Sequence, residues 1–223
     1  GIDVTSQITG VVPTANLGSG SASSSVFLSG ASTWIAAGGG NLELITATTA
    51  SDTATIDFTS GFDAAYDVYR LDITQAIPTD DGAYPTIALS DDAGVSWEAG
   101  AGDYRAITSG WIGSNAASGT TTSTGDHYGT VLWTNTNSTT KQGNQVAESL
   151  NGSFWFYGLN DGNNPGIRFQ YSCGSIGGFQ IGIAGYGCFT ANTNVVNGIR
   201  FLNSSVGGNV ATGEFRLFGI KNS

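Results

Sequence analysis

From residue 41 to the C-terminus, apolar and polar side chains alternate in short runs broken by turn-forming clusters. Residues 42–49 (LELITATT), 53–58 (TATIDF), 66–73 (YDVYRLDI) and 84–90 (YPTIALS) either alternate strictly or are rich in β-branched and aromatic residues, so each predicts a strand. Ser60-Gly61, Asp80-Asp81-Gly82 and Asp91-Asp92-Ala93-Gly94 supply the turns between them. After a Gly/Ser/Thr-rich interval at 113–126, further strands are expected at 128–134, 153–159, 166–171, 178–184, 198–202 and 213–220. No segment sustains a 3.6-residue period. The pattern predicts an all-β fold, an antiparallel β-sandwich of jelly-roll-like type.

Residues 1–40 follow a different rule. Gly, Ser, Ala and Thr dominate, Lys and Arg are absent, and apolar anchors such as Ile8, Leu17 and Trp34 are spaced several residues apart. Such a segment cannot bury enough apolar area alone, which makes it a linker or an extended N-terminal arm ordered by winding around copies of itself. The spaced anchors favour the arm, and Gly38-Gly39-Gly40 marks its boundary with a head domain at 41–223.

Composition narrows the function. The 223 residues carry 39% hydrophobic and 11% aromatic side chains, enough for a real core, but only 11% charged ones. A net charge of −10 with seven Lys and Arg repels phosphate backbones and anionic membrane surfaces, so neither nucleic acid nor membrane insertion is expected. The N-terminus has no basic-then-apolar signal pattern, and the chain contains no Met, which fits a trimmed product or a fragment of something longer. Cys173 and Cys188 sit in apolar, Gly-rich stretches and are expected as two buried reduced thiols on strands, with a disulfide as the alternative.

Several constellations have chemistry to offer. Residues 90–97 (SDDAGVSW) match the Asp-box pattern, in which Asp92 accepts backbone N–H groups inside the turn, Gly94 takes an unusual φ, and Trp97 packs back over a hairpin; this is a folding device. The acidic pairs Asp80-Asp81 and Asp91-Asp92, and the stretch Asp161 to Asn164, offer oxygen ligands for a surface Ca²⁺. None has EF-hand spacing, so turns are the expected role and no cofactor is predicted. His127, the single histidine, lacks a nucleophile elbow, and the Gly-rich run at 182–187 lacks the lysine and helix of a phosphate loop, so no catalytic residue is expected. The aromatic and amide side chains beside loops, Trp111, His127, Tyr128, Tyr157, Asn160, Asp161 and Asn163, suit sugar rings, which present apolar C–H faces and hydroxyl edges.

The C-terminal stretch 198–220 (GIRFLNSSVGGNVATGEFRLFGI) resembles the closing strands of bacteriophage tail-fibre and related virion appendage domains. Residues 66–97 look like the same family's strand, Asp-Gly turn, strand and Asp-Gly-x-x-Trp hairpin, and 11–34 is similar to the arms that join fibre shafts to heads. These stretches cover about half of the chain and leave 98–197 without a counterpart. The resemblance implies a non-enzymatic virion protein, usually a homotrimer, with the arm contacting other virion proteins and the head binding a bacterial surface polysaccharide or receptor. A capsid decoration or head-fibre protein is the alternative. A polysaccharide depolymerase is disfavoured because no β-helical repeat is found.

Overall fold

The computed structural model describes residues 26–28, 34–36, 41–113, 118–119, 125–129, 132–133, 141–204 and 208–221. At 26–28, 34–36, 111–112, 118–119, 125–129, 132–133 and 204 it describes the backbone alone. The chain divides into two compact units, Gly1–Gly40 and Asn41–Ser223. In the first, β1 (Val26–Leu28) and β2 (Trp34–Ala36) form an antiparallel hairpin in which Phe27 faces Ile35. The remainder of the expected arm lies outside the described residues.

The second unit is all β. Its strands are β3 (Leu42–Thr53), β4 (Thr55–Phe58), β5 (Tyr66–Pro78), β6 (Tyr84–Ser90), β7 (Tyr104–Gly113), β8 (Ser118–Gly119), β9 (Gly125–Gly129), β10 (Leu132–Trp133), β11 (Leu150–Tyr157), β12 (Gly166–Gly174), β13 (Gln180–Phe189), β14 (Gly198–Ser204) and β15 (Val210–Lys221). The larger sheet runs β3-β15-β5-β11-β12-β13-β7-β8, with β9 also on β7; the smaller runs β10-β6-β14-β4, and every pairing is antiparallel. Numbered in chain order, β3, β4, β5, β6, β10, β11, β14 and β15 pair as 1-8-3-6 and 2-7-4-5, which is the strand order of a jelly roll. Two insertions, β7 with β8 and β9 after the fourth of these strands and the β12–β13 hairpin after the sixth, widen the larger sheet beyond β11.

One core lies between the sheets. Along β12, Ile167, Phe169, Tyr171 and Cys173 are buried while Arg168, Gln170 and Ser172 are exposed, the period-two pattern of a strand with one wet face. Phe201 of β14 meets Phe215 of β15 across the sheets at 5.1 Å between ring centres. Tyr104 of β7 reaches the other sheet through its hydroxyl, which accepts the Leu89 N–H at 2.8 Å and donates to the Glu98 carbonyl at 3.2 Å. The inserted strands share this core: Phe154, Phe169 and Tyr171 stack with centroids 5.8 to 6.5 Å apart. A Cβ on Gly185 would sit 2.3 Å from the Phe169 ring, so β13 passes there without a side chain.

Three expectations change. Strand β7 was not anticipated, because its outward positions Arg105, Ile107 and Ser109 mix charged, apolar and polar types and erase the alternation. The run at 128–134 is two strands in different sheets, β9 on β7 and β10 on β6. The Asp-box turn joins no pair of neighbouring strands: the Glu98 N–H returns to the Leu89 carbonyl at 2.9 Å across it, but β6 pairs with β10 and β14, and the chain goes on to β7 in the larger sheet. Its local hydrogen bonds are satisfied within the turn, so it can serve a crossover as well as a hairpin.

Candidate ligand-binding face

The period-two rule puts one side chain of every outward pair on the exposed face of the larger sheet, and strand register then decides which become neighbours. One rung runs Phe218–Arg70–Trp155–Arg168–Tyr186–Ile107 across β15, β5, β11, β12, β13 and β7. Arginines and aromatics alternate through its first five positions. The Arg70 guanidinium lies 5.8 Å from the Phe218 ring centre and 5.9 Å from that of Trp155, and the Arg168 guanidinium lies 5.4 Å from Trp155 on its other side. Cation–π contacts of this kind hold flat groups upright on a sheet surface. At the far end Tyr186 is 63% exposed and Ile107 56%.

The neighbouring rung is polar, with Arg216, Asp72, Ser153 and Gln170 in register. Asp72 accepts from Arg70 Nε at 2.8 Å and Nη2 at 2.5 Å, and from Ser153 Oγ at 2.6 Å, which holds the Arg70 guanidinium more firmly protonated than usual. Three depressions lie along the inserted part of this face. A groove of about 390 Å³ is bounded by Asn151, Trp155, Gln170, Ser172 and Gly182. A hollow of about 320 Å³ lies between Tyr157, Arg168 and Tyr186 over Gly166 and Gly187. A third, of about 290 Å³, lies between Tyr186, Ile107, Arg105 and Cys188. Gly166 to Ser172 spans roughly 20 Å along β12 at the rise of an extended strand.

The sequence candidates fall on this face unevenly. Tyr157, 41% exposed at the end of β11, lines the middle hollow. Trp111 lies on β7 opposite Gly182, His127 on β9 opposite Ala106, and Tyr128 opposite Arg105; the side chains of all three lie outside the described residues. Asn160, Asp161 and Asn163 occupy the turn between β11 and β12. The Asn160 amide donates to the carbonyls of Asp63 at 2.6 Å and Tyr66 at 2.9 Å, and Asn163 donates to the Asp161 carbonyl at 3.4 Å, so these amides are engaged in holding turns. Arg168 and Tyr186 were missed. The available signal was their parity: each alternates with buried neighbours, Ile167 and Phe169 for one and Gly185 for the other, which places a large side chain on the wet face.

The Asp-box residues act together elsewhere. Asp92 accepts from Ser90 Oγ and the Ser96 N–H, both at 2.8 Å, and from Ser96 Oγ at 2.6 Å, which holds its carboxyl well below the ordinary range, at about 2. Gly94 adopts φ +84°, and Trp97 carries the Arg200 guanidinium 4.2 Å from its ring centre while Arg200 pairs with Asp57. The other acidic pairs are likewise engaged by internal donors: Asp81 accepts the Asn144 N–H at 2.9 Å, and Asp91 accepts from Asn192 and Asn194.

Both cysteines are free. Cys173 is buried, and desolvation pushes its thiol up to about 12. Cys188 is half-buried, a correction to the expectation of two buried thiols, because its position in β13 turns it to the outer face. Cys173 pairs with Ile181 and Cys188 with Gly166. The two are therefore roughly 23 Å apart along the ladder, far beyond the reach of a disulfide.

No protein-family model, curated protein or solved structure matches the chain.

Proposed function

We propose that the protein is a non-enzymatic binding module that holds surface saccharide against the outer face of its larger sheet. From the resemblance of its strands and arm, we further propose that it does so as the head of a virion appendage such as a bacteriophage tail fibre. The observation that carries the binding reading is the pair of exposed tyrosines, Tyr157 and Tyr186, beside Arg168 in one hollow. Exposed aromatic rings stack on the C–H faces of sugars, and flanking amides, hydroxyls and guanidinium groups take the hydroxyl edges. Jelly rolls host both capsid and lectin domains, so the fold is compatible with either role, and the binding reading stands on the chemistry of the face itself. In a homotrimer built on the arm, three such faces would raise a weak affinity through effective concentration.

A structural virion part, a capsid decoration or head fibre, is the second reading. It is favoured by Leu44 and Ile107, 52% and 56% exposed, which extend the same rung at its two ends and would suit a protein neighbour. An array of bacterial surface glycans, read with light-scattering mass on the same sample, separates the two. Expected are trimers that bind a defined glycan and release no oligosaccharide, with Tyr186→Ala weakening binding about tenfold through the lost stacking. Released oligosaccharide would overturn the non-enzymatic reading, and binding indifferent to Tyr186→Ala would overturn this face as the site.

A further inference from the structure

We infer that the saccharide bound at the middle hollow is acidic, with a carboxylate received by Arg168; this rests on the binding face proposed above. The chain carries 17 Asp and Glu against seven Lys and Arg; four of those seven are paired with a carboxylate among the described residues, while Lys141 rests over the Tyr84 ring at 5.3 Å. Arg70 pairs with Asp72, Arg200 with Asp57, Arg216 with Glu214 and Lys221 with Glu43. Arg168 is exposed and, among the described residues, pairs with no carboxylate; its guanidinium rests beside Trp155 alone. That contact orients the plane of the fork without using up its hydrogen-bond donors. An arginine so positioned presents parallel N–H groups, the geometry that a planar carboxylate accepts in pairs.

The surroundings complete the fit. Tyr157 and Tyr186 stand on the same hollow as Arg168, and Gly166, on the outward parity of β12, leaves its floor without a side chain, so a ring has room to lie flat. Asp72, on the same sheet face one strand beyond Trp155, is held by Arg70 and Ser153 and so is already neutralised in place. The net charge of −10 opposes the approach of an acidic polymer. At physiological salt that repulsion is screened over about 8 Å, while the contact with Arg168 is made at hydrogen-bonding distance. A uronic-acid-type unit, with one apolar ring face and one carboxylate edge, matches two rings and one guanidinium. A neutral sugar would leave the guanidinium with hydroxyl partners only.

The test uses the full chain and a panel of bacterial capsular polysaccharides. Each is presented in its native acidic form and after carbodiimide activation and borohydride reduction of its uronic acids to neutral hexoses. The inference expects binding to at least one native polymer, lost on carboxyl reduction. It also expects Arg168→Gln to weaken that binding tenfold or more, about the size of a charge-assisted hydrogen bond, with Arg168→Lys intermediate. Thermal unfolding of both variants should match the parent, since the side chain faces water. Equal binding to native and reduced polymers, with Tyr186→Ala still harmful, would overturn the acidic ligand and leave the binding face standing. Binding to neither form, or binding untouched by both Tyr186→Ala and Arg168→Gln, would overturn the face and the inference together.

Discussion

The two halves of the larger sheet's outer face are built by one rule and end in opposite states. On the jelly-roll strands β5 and β15, each arginine is answered from its own strand: Arg70 by Asp72, and Arg216 by Glu214 two residues away. On the inserted strands β12, β13 and β7, the same alternation leaves Arg168, Tyr186 and Ile107 facing water beside three depressions. The strands added beyond β11 contribute to the core through one face, as Tyr104, Phe169 and Phe189 do, and leave the other to water.

The largest expected effect breaks the added half from beneath. Phe169 is buried, stacks on Phe154 and Tyr171, and belongs to the inserted β12. Phe169→Ala should lower the unfolding free energy by about 3–5 kcal/mol in urea titration and disorder the hollow above it. A loss below about 1 kcal/mol would show that the added strands are not part of the shared core.

A smaller effect should convert the closed half into a copy of the open one. Asp72→Asn removes the carboxylate that holds Arg70 and Ser153. With side-chain exposures of 32% and 22% for the pair, the stability change should be only about 0.2–1 kcal/mol. Acidic polysaccharide should nonetheless bind more tightly to the variant, because a second arginine beside Trp155 is released; unchanged affinity would mean that closure of this half is incidental.

The smallest effect lies off the face and serves as a reference. The Asp92 carboxyl is held at about 2, below its ordinary 3.8, so its hydrogen bonds favour the folded state above the ordinary value and that contribution is lost as pH falls towards 2. Acid unfolding followed by tryptophan fluorescence should be steeper between about pH 4 and pH 2 for the parent than for Asp92→Asn, with glycan binding at neutral pH the same in both. Equal acid limbs would show that the Ser90 and Ser96 contacts do not persist in solution.

Much of the architecture was legible because β alternation is local. The runs at 66–73, 84–90, 166–171 and 213–220 all became strands of the sandwich, and Asp92, Gly94 and Trp97 form their turn from residues within eight positions of one another. The site was legible only in fragments. Tyr157 was found through its place beside a loop, while Asn160 carried the same residue chemistry and is engaged by Asp63 and Tyr66, 97 and 94 positions away. Arg168 and Tyr186 were passed over because loops, and not the middle of a sheet, were the expected place for recognition.

By itself the sequence determined the all-β class, the period that sorts each strand into a wet and a dry face, and the deficit of cations that makes any unpaired arginine conspicuous. The first two depend on neighbours two to four residues apart, and the third on composition alone. Only the tertiary structure decided which strands lie side by side, and with that the rung from Phe218 to Ile107, the separation of Cys173 from Cys188, and the pairing that satisfies Arg70 while leaving Arg168 open. Register is a relation between segments far apart along the chain, as between Arg216 and Asp72, Phe218 and Arg70, or Ile220 and Leu42. It is set by core packing on the hidden face, so the exposed face inherits its neighbours from residues it never touches.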